Sequence, residues 1–178
     1  MKSAVLVNGV PASGKSTVAR AIAAATGWPL LTLDTIKEAL FAHLGLGDRD
    51  HNRLLGRASY EAMFGLVGDF PEGGTVIADA WFGFQPPEVL GRHLARAGIT
   101  DVAELWCHAP ADVIGARYAE RLDQRSAGHL GTEYVPELIE LAARAKPLGT
   151  FPLYEIDTTK EIKTDGIVRW LRDRFSRG

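Results

Sequence analysis

One cysteine, Cys107, is all that this 178-residue chain contains. That excludes an internal disulfide and suits a reducing compartment. Charge of either sign is also scarce in excess: 20 Lys and Arg stand against 22 Asp and Glu, a formal net charge of -2. No strong pull toward nucleic acid or an acidic membrane surface is written in that balance. Long hydrophobic runs are missing, and the stretch before Asn8 is too short, with a single lysine, for a secretory leader. The expectation is a soluble cytoplasmic protein with no nucleic acid and no membrane as partner. No linker, repeat or low-complexity segment divides the chain, so one domain is expected over residues 1–178, large enough for a full core.

What is present is an alternation of strand-like runs and helical periodicities. Ala4 to Val7, Leu30 to Leu33, 75–80, 102–108 and 152–157 read as strands. Helices are expected after Gly14, over 36–44, over Asn52 to Val67, from the prolines at 86–87 to Gly98, over 110–122, over 135–145 and at the C-terminus. Strands alternating with helices imply an α/β fold, a five-stranded parallel sheet with helices on both faces. The stretch 122–135 has weak periodicity and two glycines, Gly128 and Gly131. Residues 122–134 are therefore expected to form a small lid.

The most specific signal is "VNGVPASGKST". Gly9, Gly14, Lys15 and Ser16 match G-x-x-x-x-G-K-[ST], between a strand and an amphipathic helix. Such a loop curls its backbone N–H groups around phosphate, where a side chain would collide. The helix that follows turns its positive end toward the anion. The expected nucleotide contacts are Gly9, Val10, Pro11, Ala12, Ser13, Gly14, Lys15, Ser16 and Thr17. Lys15 reaches the β- and γ-phosphates, and the Ser16 hydroxyl faces Mg²⁺. The ligands implied are ATP and Mg²⁺. No N-K-x-D guanine motif is present, and Ala80 follows Asp79 where hydrolytic ATPases place a water-polarising glutamate. That favours transfer to an organic acceptor with water excluded.

"VNGVPASGKST", "LTLDTIKEAL", "AELWCHAPADVIGARYAERLDQRSAGH" and "YEIDTT" together resemble the small P-loop kinases related to nucleoside-monophosphate kinases. The resemblance is nearest to gluconate kinases and chloramphenicol phosphotransferase, with shikimate kinase further away. It implies ATP, Mg²⁺, a lid and a small hydroxylated acceptor. The chain departs from shikimate kinase in lacking Gly-Gly-Gly after the third strand, and from gluconate kinase in lacking a histidine just after Asp34. The resemblance therefore leaves the acceptor open. The expected activity is transfer of the ATP γ-phosphate to a hydroxyl of a small molecule. A nucleoside or nucleotide kinase is one alternative, and an ATP-binding regulatory protein or ATPase without an organic acceptor is another. Both a monomer and a homodimer are compatible with this reading.

Further residues divide between chemistry and plain structure. Asp34 follows the second strand, at the sheet edge where open α/β sheets bind ligands. It reads as a general base for the acceptor hydroxyl, the part an aspartate plays in the chloramphenicol phosphotransferase it resembles, or as a helix cap. Thr35 with Glu38 would form a capping box. Asp79 reads as a holder of Mg²⁺-bound water, an acceptor contact or a turn aspartate. Trp81, Phe82 and Phe84 follow it in a loop. Trp81 and Phe84 are the aromatic candidates for the acceptor pocket. Arg117, Arg121 and Arg125 recur at helical spacing on one face. Arg121 and Arg125 are expected as phosphate clamps and Arg117 as an adenine contact, against the reading of a solvated basic face. Asp157 and Thr158 lie where the family contacts adenine. Arg53 and Arg57 share a helix face on the acceptor side. His108 follows the fourth strand and His129 sits in the expected lid, the other histidines read as ordinary partly buried or surface groups, and Cys107 has no ligand-spaced partner for zinc.

Overall fold

A computed structural model describes residues 1–122 and 128–176. Five strands form one parallel sheet in the order β2-β3-β1-β4-β5. They are β1 (Lys2–Asn8), β2 (Leu30–Thr32), β3 (Thr75–Ala80), β4 (Ile99–His108) and β5 (Leu153–Asp157). The central strands are nearly continuous apolar runs because both faces are covered. Ala4, Leu6, Val76 and Ala78 point to the face covered by α3 (Arg49–Gly68) and α4 (Pro87–Arg96). Val5, Val7, Ile77 and Leu105 point to the other, covered by α1 (Lys15–Thr26) and α7 (Thr164–Phe175). A third cluster joins Val10 to α5 (Ala111–Glu120) and α6 (Val135–Arg144) through Ile114, Tyr118 and Leu138. None of the described helices is long and apolar enough to cross a membrane.

Register brings the functional ends together. Asp79 on β3 pairs with Val7 on β1 and with Thr32 on β2, and Asn8 pairs with Ala80. The carboxyl ends of these three strands are therefore level. β1 sits between β3 and β4, so the chain leaves it at the switch point where ligands bind in open sheets.

The helix starts differ from the sequence expectation. The second helix, α2 (Leu33–Leu44), begins at Leu33 with Thr32 as its N-cap residue, and no side chain caps it. Neither Asp34 nor Thr35 is the cap, and the Thr35–Glu38 capping box does not form. Asp34 lies in the first helical turn, where a carboxylate is favoured by the helix dipole. α3 begins three residues earlier than the apolar pattern indicates, because the Asp48 side chain accepts a hydrogen bond from the His51 N–H at 2.9 Å. α5 ends at Glu120 and Arg121 is already its C-cap residue. Of the arginines expected on one face, Arg117 thus lies within α5 and Arg121 at its end, while Arg125 lies outside the described residues.

Candidate active site

The loop after β1 is shaped for an anion. Gly9 (φ 156°) and Gly14 (φ 86°) adopt conformations that side chains rarely take. A Cβ on Gly9 would stand 2.5 Å from the Cys107 carbonyl oxygen, and one on Gly14 would stand 3.0 Å from Thr158 Cβ. α1 starts directly at Lys15, so its first N–H groups, which lack intrahelical partners, face the loop's end. Val10 is buried against α5 and α6, which fixes the outer side of the loop.

Asn8 holds the loop from below. Its Oδ1 accepts from the Gly9 N–H at 2.9 Å and from the Phe82 N–H at 3.0 Å. Its Nδ2 donates to Glu104 Oε1 at 2.7 Å. Glu104 is fully buried and also accepts from the Leu148 N–H at 3.0 Å. One amide thus ties the phosphate loop to the loop after β3. Burial pushes the Glu104 carboxyl above its ordinary range, and the Asn8 and Leu148 hydrogen bonds only partly oppose this. The folded state therefore favours the protonated form more than the unfolded chain does. Stability from this group is full below the unfolded carboxyl pKa and is lost as pH rises through the raised folded value. Glu104→Gln keeps the shape and the acceptor oxygen without the charge. Its melting temperature is expected above wild type at pH 7, with the difference closing at pH 4, below the unfolded carboxyl pKa. Scanning calorimetry at the two pH values checks this, and an equal offset at both would contradict it.

Asp79 is 2% exposed, and neither carboxylate oxygen has a hydrogen-bond partner. Burial pushes its carboxyl up, while the Lys15 ammonium and the nearby Ser16 hydroxyl pull it down and Asp34 pushes it up again. A buried carboxylate left unsatisfied beside a serine hydroxyl and a lysine fits a site completed by a hydrated cation. No group of three or more metal-ligating side chains occurs among the described residues.

Asp34 and Asp79 face the same space. Tyr60, buried in α3, has its phenol pushed far up, first by burial and then by the charges of these two aspartates. Its hydroxyl donates to the Trp81 carbonyl at 2.5 Å. Lys15, Asp34, Asp79, Trp81 and Phe84 all line one cavity of about 450 Å³. Arg53 also lines it, whereas Arg57 is exposed and outside the lining.

Arg117 and Thr158 form a clasp at the outer end of the phosphate loop. Arg117 donates from Nη1 to Thr158 Oγ1 and from Nη2 to the Thr158 carbonyl, both at 2.9 Å. Thr158 Oγ1 in turn donates to the Ser13 carbonyl at 2.8 Å. Asp157 points elsewhere, accepting from Thr159 and pairing with Lys160 at 3.0 Å. Arg121 is exposed just beyond α5. Arg125 lies outside the described residues, as do residues 123–127 of the expected lid.

Part of that segment lines the cavity through His129, Leu130 and Tyr134. His129 Nε2 stands 2.9 Å from Glu38 Oε1, and its ring meets Phe41 edge-on. The Gly128 carbonyl accepts from Asn52 Nδ2 at 2.6 Å, and Asn52 Oδ1 accepts from Lys37 Nζ at 2.6 Å. Arg49 on α3 meets Glu137 on α6 through both carboxylate oxygens, at 2.5 and 2.7 Å. These partners are far apart in the chain, and no local pattern pairs them.

Residues 5–141 match the model of the AAA_33 family, described as an AAA domain. None of the curated proteins is a match in sequence. Among solved structures, a candidate kinase of Chloroflexus aurantiacus J-10-fl superposes with a TM-score of 0.83 at 26% identity, covering 97% of this chain and 98% of that one. A shikimate kinase from Bacteroides thetaiotaomicron gives a TM-score of 0.60 at 19% identity, covering 98% of each chain. A gluconokinase from Sinorhizobium meliloti 1021 gives 0.59 at 19% identity, covering 99% of this chain and 92% of that one. The last two show likeness of fold alone. With its 2-3-1-4-5 sheet, its G-x-x-x-x-G-K-S loop and Ala80 in place of a hydrolytic glutamate, the chain belongs to the AAA_33 family and has the fold of nucleoside-monophosphate-kinase-like P-loop kinases.

Proposed function

We propose that this protein is an ATP-dependent kinase of the cytoplasm that transfers the γ-phosphate of ATP to a hydroxyl of a small molecule. One observation carries the reading: Lys15, Asp34 and the buried Asp79 border a single cavity that extends away from the phosphate loop. A bare ATPase needs only room for water there. A cavity of about 450 Å³ is within the size range of sites for small organic molecules.

The loop N–H groups and Lys15 bind and orient the phosphates, and Lys15 counters charge as it shifts toward the leaving oxygen. Ser16 and Asp79 would hold Mg²⁺, which when bound supplies charge neutralisation across the β- and γ-phosphates. Asp34 accepts the proton of the attacking hydroxyl. Arg117 borders the adenine side together with Thr158. Arg121 and Arg125 stand in the chain where lid arginines would meet the transferring phosphate. His129, Asn52 and the Arg49–Glu137 pair strap the lid side to α2 and α3, which keeps water from the reacting atoms. ADP release from MgATP, followed with and without a panel of alcohols, tests the reading. Release accelerated by an alcohol supports it, and release indifferent to every alcohol favours an ATPase or a nucleotide-gated regulator.

A further inference from the structure

Glu104 is a fully buried carboxyl that the proposed reaction does not use, and Asn8, equally buried, is its partner. The backbone pairing of β1 with β3 ends at Asn8 and Ala80. Beyond that point the two chains part, one into the phosphate loop and the other toward Trp81 and Phe82. The Asn8 side chain holds them where the ladder stops. Its Oδ1 accepts from the Gly9 N–H at 2.9 Å and from the Phe82 N–H at 3.0 Å. Glu104 decides which way that amide points. Its Oε1 takes the Nδ2 donor at 2.7 Å, which leaves Oδ1 for the two N–H groups. The flipped amide would set donor against donor at both. Glu104 is itself anchored on the segment between α6 and β5. Its N–H donates to the Pro152 carbonyl at 2.8 Å, its carboxylate accepts from the Leu148 N–H at 3.0 Å, and Leu148 and Phe151 pack on the core.

Asp79 and Trp81 flank Ala80 in the chain and border the cavity together with Lys15. Their placement relative to the phosphate loop is therefore set through Asn8. The amide is fully buried and spent on these bonds, so it adds no contact to a phosphate. Resting on the kinase reading above, we propose that Asn8 is a positioning residue for phosphoryl transfer: held in one orientation by Glu104, its amide fixes the phosphate loop against Asp79 and the Trp81 wall. Displacing reacting groups by about 1 Å can cost on the order of 100-fold in rate. The other loop N–H groups and Lys15 would still bind MgATP. Loss of the amide should therefore lower kcat and leave the KM for MgATP nearly unchanged.

The test uses the full chain and follows ADP release from MgATP, with and without a panel of aryl alcohols, nucleosides and polyols. Asn8→Leu has a similar size and makes none of the three side-chain hydrogen bonds. Asn8→Ala replaces it if the leucine form fails to fold. Either is expected to lose about 10-fold to 100-fold in kcat, with the KM for MgATP within about threefold of wild type. The paired change Asn8→Asp with Glu104→Gln reverses the roles in the buried bond. The new carboxylate accepts from Gly9, Phe82 and the new amide, and that amide's oxygen accepts from Leu148, so every group keeps a partner. This variant is expected to return kcat to within about threefold of wild type. A general loosening of the fold would lower the melting temperature without this split or this recovery. Unchanged kcat in the single variant overturns the proposal. So does a kcat loss matched by the rise in KM, and so does a paired variant as slow as the single one. Alcohol dependence is read separately. Release that no alcohol accelerates overturns the kinase reading, and the same kcat comparison on alcohol-independent release still decides the role of Asn8.

Discussion

Lys15→Ala is expected to lose transfer by roughly 1,000-fold and to weaken MgATP binding, while the fold persists. In the proposed reaction its charge counters the negative charge that builds on the leaving phosphate, and removing one such stabiliser costs about this much elsewhere. Lys15 is half-buried at the first position of α1 and adds little to the apolar core. Its loss also withdraws the cation that pulls the Asp79 carboxyl down, so that carboxyl should move further up. Two measurements check this: the thermal shift with and without MgATP, and the rate of ADP release. A variant stabilised by MgATP as strongly as wild type, and as active, would refute the assignment of the loop.

Asp34→Asn is expected to lose roughly 100-fold or more in transfer, the usual scale for a lost general base. Thr32, not Asp34, is the N-cap residue of α2, so no cap is sacrificed. Asparagine keeps the size but gives up a favourable charge in the first turn, a cost of about 0.3–1 kcal/mol. The melting temperature should fall only slightly and MgATP binding should persist. Any acceptor-independent hydrolysis should survive better than transfer. Full transfer by the asparagine form would remove Asp34 from proton transfer and leave Asp79 or the phosphate itself as the acceptor of the proton.

What was legible in the sequence was local. The phosphate loop is read from four positions within eight residues, because its shape depends on φ values and helix polarity that those residues themselves dictate. The parallel sheet follows from alternation, and the structure has the five strands in register. The capping box at Thr35 failed because Leu33 enters the helix directly from β2, a choice made by strand pairing at Thr32 rather than by side chains. Arg121 stands at the C-cap of α5 rather than inside it, because helical spacing alone does not mark where a helix ends. Asn8, Glu104, Asn52 and His129 gave no signal. Each acts through a partner at least 76 residues away, and only the folded chain brings them together. Within the Arg117–Thr158 clasp the two residues stand 41 apart, and spacing alone could not join them.

The central claim is that the γ-phosphate goes to carbon-bound oxygen rather than to water. The most direct measurement follows ATP labelled in its γ-phosphate, with the aryl alcohols, nucleosides and polyols supplied together, and identifies the labelled products by mass spectrometry. The account predicts label in a phosphate monoester of one supplied alcohol, formed by wild type and suppressed by roughly 100-fold or more in Asp34→Asn. Label recovered only as inorganic phosphate, at a rate the same with and without the alcohols, would contradict it.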